Sequence, residues 1–325
     1  MTEDHTRRIL EQIASARPGR FNAAQTLLRA PRALSAADVD IALFGMPFDM
    51  GTFGRDGSRL GPDHIRQQSH NIRSKNYLTG INPGALCSFG DIGDAPIDVF
   101  DPGRSVDLVS DYCRAVCGAG AAPVAVGGDH TIPLFMLRGL ATRHGPVAVI
   151  HFDAHPDTYD TVAGSKINHG TPFRRAVEEG LEIPHRHVMI GLRGTLDEED
   201  QEAFDWARDQ GMAMIDMDEC EALGPAGVAQ RCRQVIGDMP AYITIDADGV
   251  DPGDMPGTGS PEPGGLRMRE MQAILRGLRG MNIVGADICE VSPPLDPTGV
   301  TAFNAAHLLF EMLCLVAESI ANQRT

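Results

Sequence analysis

Short apolar segments alternate with longer amphipathic segments along most of the chain. The short segments are rich in Val, Ile, Ala and Met, which predicts buried strands at residues 41–47, 122–128, 146–153, 187–193, 212–218, 241–248 and 282–291. In the segments between them, apolar residues recur at intervals of three and four. That period predicts helices over residues 104–118, 131–143, 197–210, 225–236, 267–279 and 302–321.

This alternation is typical of an α/β fold, in which a mostly parallel sheet is covered by helices on both faces. The strand segments are almost continuously apolar, as expected for strands that are buried on both sides. No internal repeat or low-complexity linker divides the chain, so we expect a single domain. The Gly- and Pro-rich segment 249–265 is too long for a tight turn and is interpreted as a structured functional loop.

The composition narrows the classes of function. The formal net charge of −16 argues against nucleic-acid binding, which needs a basic surface. The N-terminus has no apolar signal region, and no apolar run approaches the roughly 20 residues of a membrane span, so we expect a cytoplasmic protein without a membrane contact. The 7 cysteines form no CxxC pair and are interpreted as buried, reduced thiols.

Polar side chains follow several predicted strands at the point where each strand ends. His130 comes directly after the strand at 122–128, and Glu290 lies at the end of the strand at 282–291. Two other strands end in alternating patterns, and residues two apart point to the same side of an extended chain. These are Asp153, His155 and Asp157 in "DAHPD", and Asp246 and Asp248 in "DADGVD". Because open α/β sheets bind ligands beyond the carboxyl ends of their strands, we expect these side chains to meet in one cleft.

The residue types in this cleft indicate metal ions. Four carboxylates and two imidazoles would repel and desolvate one another unless cations neutralised them. Oxygen and imidazole ligands suit Mn, Fe, Co, Ni or Zn, and the lack of thiolates argues against a structural zinc site. Six ligands exceed the number that one catalytic metal normally needs, so the pattern predicts two ions about 3.5–4 Å apart. A single strand-end Asp is commonly a helix cap, but the coincidence at three strand ends favours a metal site.

The longer motifs resemble those of the ureohydrolase family, which includes arginases and agmatinases. They are "GGDH", "FDAHPD", "HGTPFRRA", "DADGVDPGDMPGTGSPEPGG" and "EVSPP", and the resemblance covers about residues 40–320. It implies a three-layer α/β/α sandwich, arginase-like, with a mostly parallel sheet of about eight strands. Residues 1–325 would form one ureohydrolase domain, with 1–35 as an N-terminal extension packed on the core or on a neighbouring subunit. The resemblance also implies a homo-oligomer, a trimer or hexamer, with a hetero-oligomer as the open alternative.

The family's reaction is the hydrolysis of a guanidino group to urea and an amine by a hydroxide that bridges two divalent metal ions, usually Mn. The resemblance implies two ligand sets that share two bridging carboxylates. These sets are His130, Asp153, Asp157 and Asp248 for one metal, and Asp153, His155, Asp246 and Asp248 for the other.

Three residues are implied to take part in the chemistry itself. His169, which precedes "GTPF", corresponds to a histidine that is assigned to proton transfer. Glu290 corresponds to the carboxylate that holds the substrate guanidinium. Asp157 could pass a proton from the attacking hydroxide to the leaving nitrogen. Pro156 departs from the family, which typically carries Thr or another small residue there, and this departure keeps Ni open beside Mn.

Loops are expected to recognise the rest of the substrate. Arginases recognise an α-amino acid partly through a Ser/Asn-bearing segment before the position of His169, and "SKINHG" does not match it well. We therefore expect a non-arginine guanidino compound. Tyr159, in the loop 158–168, and Arg55, in the glycine-rich loop 50–62, are candidates for contact with its tail. The candidate substrates are agmatine, 4-guanidinobutanoate, 3-guanidinopropanoate, guanidine, and an alkylated guanidine or biguanide.

Two alternative functions stay open. A formiminoglutamase would use the same metals on a formimino group and would release formamide in place of urea. A non-catalytic partner subunit of a mixed oligomer is a different class, but such subunits tend to lose metal ligands, and all six are present in this chain.

Overall fold

The computed structural model describes residues 26–324 and contains one eight-stranded sheet. Strands β1 to β8 span Ile41–Met46, Phe89–Asp94, Ala122–Gly127, Val147–Phe152, Glu182–Leu192, Ala213–Asp216, Ala241–Asp246 and Ile283–Cys289. They are ordered β2-β1-β3-β8-β7-β4-β5-β6, and every neighbouring pair is parallel. The parallel sheet that the alternating pattern predicts is confirmed.

Helices cover both faces of this sheet. Within the described part of the chain, α1 to α9 span Gly61–Ser69, Pro83–Leu86, Pro102–Gly118, Ile132–His144, Pro172–Glu178, Glu198–Asp209, Met217–Ile236, Met268–Gly277 and Val300–Gln323. On β4, Ile150 and Phe152 pack in a core with α1, α7, α8 and α9. Val149, which points the other way, packs in a second core with α3, α4 and α5. The predicted three-layer α/β/α sandwich is therefore confirmed.

Helix α9 bears on the expectation that no apolar run approaches the length of a membrane span. It has 24 residues, and its most apolar window has a mean hydropathy of 1.7, so by length and composition alone it could cross a membrane. However, 78% of that window is buried inside the protein, where the helix packs against β8 and α1. The described structure uses α9 as a core helix.

Strand β2 and helices α1, α2 and α5 are missing from the predicted elements. Strand β2 lies at the sheet edge, and its sequence "FGDIGD" does not read as an apolar strand because Asp91 interrupts it. Asp91 is nevertheless buried, because Arg66 Nε donates to Oδ2 at 3.0 Å. Helix α7 begins earlier than predicted, and it has a break at Gly224, whose φ is 62°, immediately before Pro225.

The predicted N-terminal extension falls partly outside the described residues, since residues 1–25 are not among them. Of the remainder, residues 26–30 lie against the core, and residues 31–35 are mostly exposed. Leu27 is fully buried there, and its backbone N–H donates to Asp91 Oδ2 at 2.8 Å. The seven cysteines, predicted to be buried and reduced, are all free and buried.

The strand order explains where the predicted ligands meet. Strands β3, β8, β7 and β4 are consecutive neighbours near the middle of the sheet. All four run in the same direction, so their carboxyl ends lie at one edge. The residues that follow these ends carry every predicted metal ligand, together with Glu290.

Candidate active site

The first group of polar side chains surrounds the imidazole of His130, just beyond β3. Its Nδ1 atom lies 2.7 Å from Asp157 Oδ2, 3.0 Å from Asp153 Oδ2 and 3.5 Å from Asp246 Oδ2. The carboxylates come from the segments that follow β4 and from the end of β7. None of the four side chains is more than 9% exposed. One nitrogen and three oxygens therefore face a common centre.

A second group adjoins the first through Asp153. His155 Nδ1 lies 3.3 Å from Asp153 Oδ1 and 3.3 Å from Asp248 Oδ2. Asp153 thus presents one oxygen to each group. The expected division needs one correction, because Asp246, and not Asp248, lies beside His130. The cause is local: the Asp248 N–H donates to Asp246 Oδ1 at 2.8 Å in a tight turn, and this turn directs the Asp248 carboxylate towards His155.

The charge balance of the cluster tests whether a pair of divalent ions fits it. Burial, with the charge of Asp153, raises the pKa of Asp157 to about 6. Burial, with the charges of Asp248 and Asp153, raises the pKa of Asp246 well above its ordinary value. Burial would also raise the pKa of Asp153, but hydrogen bonds from two imidazoles hold it well below its usual range. Buried carboxylates that repel one another, with imidazoles and no thiolate, fit two divalent cations.

Glu290 forms one wall of the cleft next to this cluster. It directly follows β8 with a φ of 60°, in the left-handed region that non-glycine residues rarely adopt. Its Oε1 atom accepts a hydrogen bond from the backbone N–H of His130 at 3.0 Å and contacts His169 Nδ1 at 3.1 Å. Oε2 accepts no hydrogen bond from residues 26–324, and the residue lines the cleft. One oxygen is therefore fixed, and the other is available to a ligand.

The two partners of His169 favour opposite protonation states. Burial lowers its pKa, but the Glu290 carboxylate more than offsets burial and raises the pKa to about 9. The backbone N–H of Phe53, in contrast, donates to His169 Nε2 at 3.3 Å, which requires an unprotonated nitrogen. The charge-assisted contact with Glu290 is the stronger of the two. We therefore assign an imidazolium to His169, and in that state Nε2 cannot accept the hydrogen bond from Phe53.

The cleft that these residues enclose has a volume of about 350 Å³. Tyr159 lines it and donates its hydroxyl group to Asp200 Oδ1 at 2.5 Å. Burial, reinforced by this carboxylate, raises the pKa of Tyr159, so the phenol stays protonated. Further carboxylates line the outer part of the cleft, and among the described lining residues there is no Lys or Arg. These outer carboxylates are Asp197, Glu199, Asp200 and Glu262.

Arg55 lies at the rim and not among the residues that line the cleft. Its backbone oxygen is 3.0 Å from the position that a Cβ on Gly259 would occupy. That same position lies 3.8 Å from Glu290 Oε2. The structure thus brings the backbone of Arg55 close to the cleft, and its exposed side chain is not fixed by any ion pair within residues 26–324.

Sequence reasoning missed a pair of polar residues behind His130. Thr244 Oγ1 lies 3.0 Å from His130 Nε2 and donates to Asp287 Oδ1 at 2.9 Å. Burial raises the pKa of Asp287 to about 7. Partners of this kind fix the orientation of a metal-binding imidazole. The signal was a threonine and an aspartate inside the otherwise apolar strands β7 and β8.

His151 lies on β4, two residues before Asp153. The structure buries it completely and places its Nε2 atom 2.8 Å from Asp153 Oδ2. Burial lowers its pKa to about 3, so the ring is neutral.

Comparisons with known proteins agree on the family. The family model described as the arginase family matches residues 39–314. The chain is 42% identical to guanidinopropionase from Pseudomonas aeruginosa over 322 residues, which cover 99% of both chains. It is 41% identical to guanidinobutyrase from the same organism over 300 residues, or 91% of this chain and 93% of that one. Among solved structures, proclavaminate amidino hydrolase from Streptomyces clavuligerus superposes with a TM-score of 0.88 at 37% identity, covering 92% of this chain and 99% of the other.

Proposed function

The chain belongs to the arginase family and is an amidinohydrolase that acts on guanidino compounds, and from this premise we propose that it releases urea from a guanidino compound other than arginine. The observation that carries the proposal is the position of Glu290. Glu290 lines a cleft together with His169 and four of the six proposed metal ligands, which are His155, Asp157, Asp246 and Asp248. A carboxylate at this place can pair with a planar guanidinium and hold its carbon for attack.

We propose that His130, Asp153, Asp157 and Asp246 hold one divalent ion and that Asp153, His155, Asp246 and Asp248 hold the other. When bound, the ions would supply hydroxide at neutral pH by lowering the pKa of water. Mn is the proposed metal, and Ni is the alternative because Pro156 stands between two ligands.

The remaining steps belong to side chains. Glu290 orients the guanidinium through Oε2, while Oε1 keeps His169 beside the leaving nitrogen. Asp157, with its raised pKa, can carry a proton within the cleft, and the His169 imidazolium can deliver one to the departing amine. His169 is 18% exposed, so it can regain that proton from solvent.

The loop before His169 supports a substrate other than arginine. Asn168 is buried, and its amide donates to the backbone oxygen of Ser165 at 2.7 Å. Its Oδ1 atom accepts the backbone N–H of Gly170 at 3.0 Å. Both ends of the side chain are therefore engaged within their own turn and are not free to bind an α-amino acid.

Two observations favour opposite charges on the tail of the substrate. The names of the two Pseudomonas aeruginosa relatives indicate guanidino acids as the substrates of those proteins. For a carboxylate tail we propose Arg55 as the partner, with Tyr159 along the path. The outer cleft of this chain, however, is lined by carboxylates such as Glu199 and Glu262, which would favour a cationic tail such as that of agmatine.

A urea assay over a panel of tails tests these proposals. The protein is loaded with Mn or Ni and given agmatine, 3-guanidinopropanoate, 4-guanidinobutanoate, guanidine and an alkylated guanidine. Arg55→Gln should reduce kcat/KM only for the acids, and Glu262→Gln only for agmatine. Asp153→Ala should abolish urea release, whereas Asp251→Asn, in the loop after β7 but outside the cluster, should retain it. A fully active Asp153→Ala variant would contradict the assigned metal site.

The same assay separates the alternatives. Formamide from formiminoglutamate, without urea from any guanidino compound, would indicate a formiminoglutamase. Failure to bind metal would indicate a non-catalytic partner subunit. We also propose that the protein is cytoplasmic and that it forms a homo-oligomer, which would cover three apolar side chains that are more than nine-tenths exposed. They are Leu34, Tyr77 and Phe100, and light scattering of the purified protein would measure the assembly.

A further inference from the structure

A buried row of polar side chains extends from the metal-ligand cluster into the second core, away from the cleft. It starts at His151, whose Nε2 atom lies 2.8 Å from Asp153 Oδ2. On the neighbouring strand, His187 pairs in register with Val149, two residues before His151. The side chains of His151 and His187 therefore emerge on the same face of the sheet, and their ring centroids are 5.5 Å apart.

The row ends at a carboxylate that has no contact with solvent. His187 Nδ1 lies 2.9 Å from Glu182 Oε2, and both side chains are 0% exposed. Phe173 closes the row on one side, with its ring centroid 4.3 Å from that of His151 and 4.8 Å from that of His187. Two carboxylates, Asp153 and Glu182, thus bracket two imidazoles inside a hydrophobic core.

Two nitrogens in this row lack a partner. His151 Nδ1 and His187 Nε2 are buried, and neither forms a hydrogen bond with any residue between 26 and 324. A buried polar atom without a partner is destabilising, and apolar residues of similar size would pack here without that penalty. Nothing in the proposed reaction touches His187 or Glu182. Neither packing nor a direct part in the reaction therefore explains this row of side chains.

We propose that Glu182, His187 and His151 form a positioning chain that fixes the carboxylate of Asp153, with His151 Nδ1 and His187 Nε2 joined by one water. Glu182 accepts from His187 Nδ1–H, so His187 Nε2 is an acceptor, and the water donates one hydrogen to it and the other to His151 Nδ1. His151 is thereby held in the tautomer whose Nε2–H donates to Asp153. Asp153 is the residue that presents one oxygen to each ligand group, so its orientation affects both metal positions.

The competing reading makes His151 a metal ligand, since its ring lies in one potential ligand cluster with His130, Asp153 and Asp157. The geometry favours the positioning role. His151 Nε2 already makes a hydrogen bond with Asp153, and Nδ1, the other ring nitrogen, makes none with any residue between 26 and 324. As a ligand, the ring would have to give up the 2.8 Å contact.

The experiment measures Mn²⁺ binding without substrate, by competition with a chelator. It compares the wild type, Glu182→Gln, His151→Gln and the double variant. Glu182→Gln keeps the size of the side chain but removes its charge, and it should weaken Mn²⁺ binding by about 10- to 100-fold, as is usual when an outer partner of a ligand is lost. His151→Gln keeps an N–H donor for Asp153 but lacks the link to His187. In the double variant, Glu182→Gln should therefore have no additional effect.

A matched control separates this role from a general loss of stability. Glu311 is also a buried carboxylate that accepts hydrogen bonds from Asn76 and Arg276, and none of these three residues lines the cleft. Glu311→Gln should lower the melting temperature of the metal-free protein about as much as Glu182→Gln does, while leaving Mn²⁺ affinity unchanged. The electron paramagnetic resonance spectrum of the loaded protein adds a second readout, because the coupling between two Mn²⁺ ions depends on the bridging carboxylate.

The outcomes distinguish this inference, which rests on the proposed binuclear site, from the proposed function itself. Unchanged Mn²⁺ affinity and an unchanged spectrum in Glu182→Gln would overturn the positioning chain, even if the wild type releases urea. Equal effects of Glu182→Gln in the wild type and in His151→Gln would also overturn it. Weakened, coupled Mn²⁺ binding would support the chain, even if no compound in the panel yields urea and the proposed function fails.

Discussion

Replacing His169 by Gln should remove a pH-dependent part of the protein's stability. His169 Nδ1 lies 3.1 Å from Glu290 Oε1 in a largely buried position. Burial lowers the pKa of His169, but the carboxylate more than offsets this effect and raises the pKa to about 9. The shift from an ordinary value of about 6.5 corresponds to a stabilisation of the folded imidazolium form by about 3 kcal/mol.

The direction of the pH dependence follows from the sign of this shift. Because the pKa in the folded state lies above that in the unfolded state, the stabilisation is complete below about pH 6.5 and is lost as the pH rises through about 9. Urea unfolding of the metal-free wild type and of His169→Gln at pH 6 and pH 10 measures it. The difference in free energy of unfolding between the two proteins should shrink by about 3 kcal/mol over that range.

Glu290→Gln provides the control, since it removes the charge that raises the pKa of His169. In that background, His169→Gln should have nearly the same effect at both pH values. Histidine NMR of the wild type should show one imidazole with a midpoint near pH 9, which is absent in His169→Gln. A difference in unfolding free energy that is constant between pH 6 and pH 10 in the wild-type background would refute the reasoning, and with it the role of His169 as a loaded proton donor at neutral pH.

Three further predictions concern the scaffold of the site. Gly128→Ala should lower the melting temperature strongly, because its Cβ would lie 1.8 Å from the backbone oxygen of Phe48; Gly118→Ala, whose Cβ has open space, is the control. Metal removal by a chelator should lower the melting temperature of the wild type, and Mn²⁺ at 100 times its Kd should restore about 2.7 kcal/mol, with no such response in Asp153→Ala. Asp287→Ala should weaken Mn²⁺ binding by about 10-fold without changing KM, because it frees the Thr244 hydroxyl that orients His130; an unchanged affinity would exclude that role.

The sequence predicts those features of the fold that depend on short-range periodicity. The apolar runs that end in polar residues locate β3, β4, β7 and β8, and the spacing of two in "DAHPD" anticipates the convergence of Asp153 and His155. Strand β2 escapes the same reasoning because it is stabilised by a distant partner. Asp91 is acceptable in a buried strand only because Arg66, on another element, donates to it.

Details of the site depend on contacts that no local pattern encodes. Strands β3, β8, β7 and β4 are consecutive neighbours in the sheet, although they follow one another in a different order along the chain. Asp246 lies beside His130 because of a single tight turn. The spacing alone could not show whether Asp246 or Asp248 would take this place. The partnership of His151 with His187 depends on the register between β4 and β5, which becomes visible only when the sheet is assembled.

The two residues with the most direct proposed chemistry also carry unusual backbone conformations, with φ of 49° at Asp157 and 60° at Glu290. Such conformations are unfavourable for these residue types and persist only where the surroundings enforce them. At Glu290 the enforcement comes from the adjacent strand end: its N–H donates to the Gly128 oxygen at 2.7 Å, while its Oε1 atom accepts from the His130 N–H at 3.0 Å. Glu290 therefore joins the ends of β3 and β8 through two hydrogen bonds. Because Gly128 packs against Phe48 with no room for a Cβ, the orientation of the carboxylate that we propose for guanidinium binding is set by backbone packing and not by the Glu290 side chain alone.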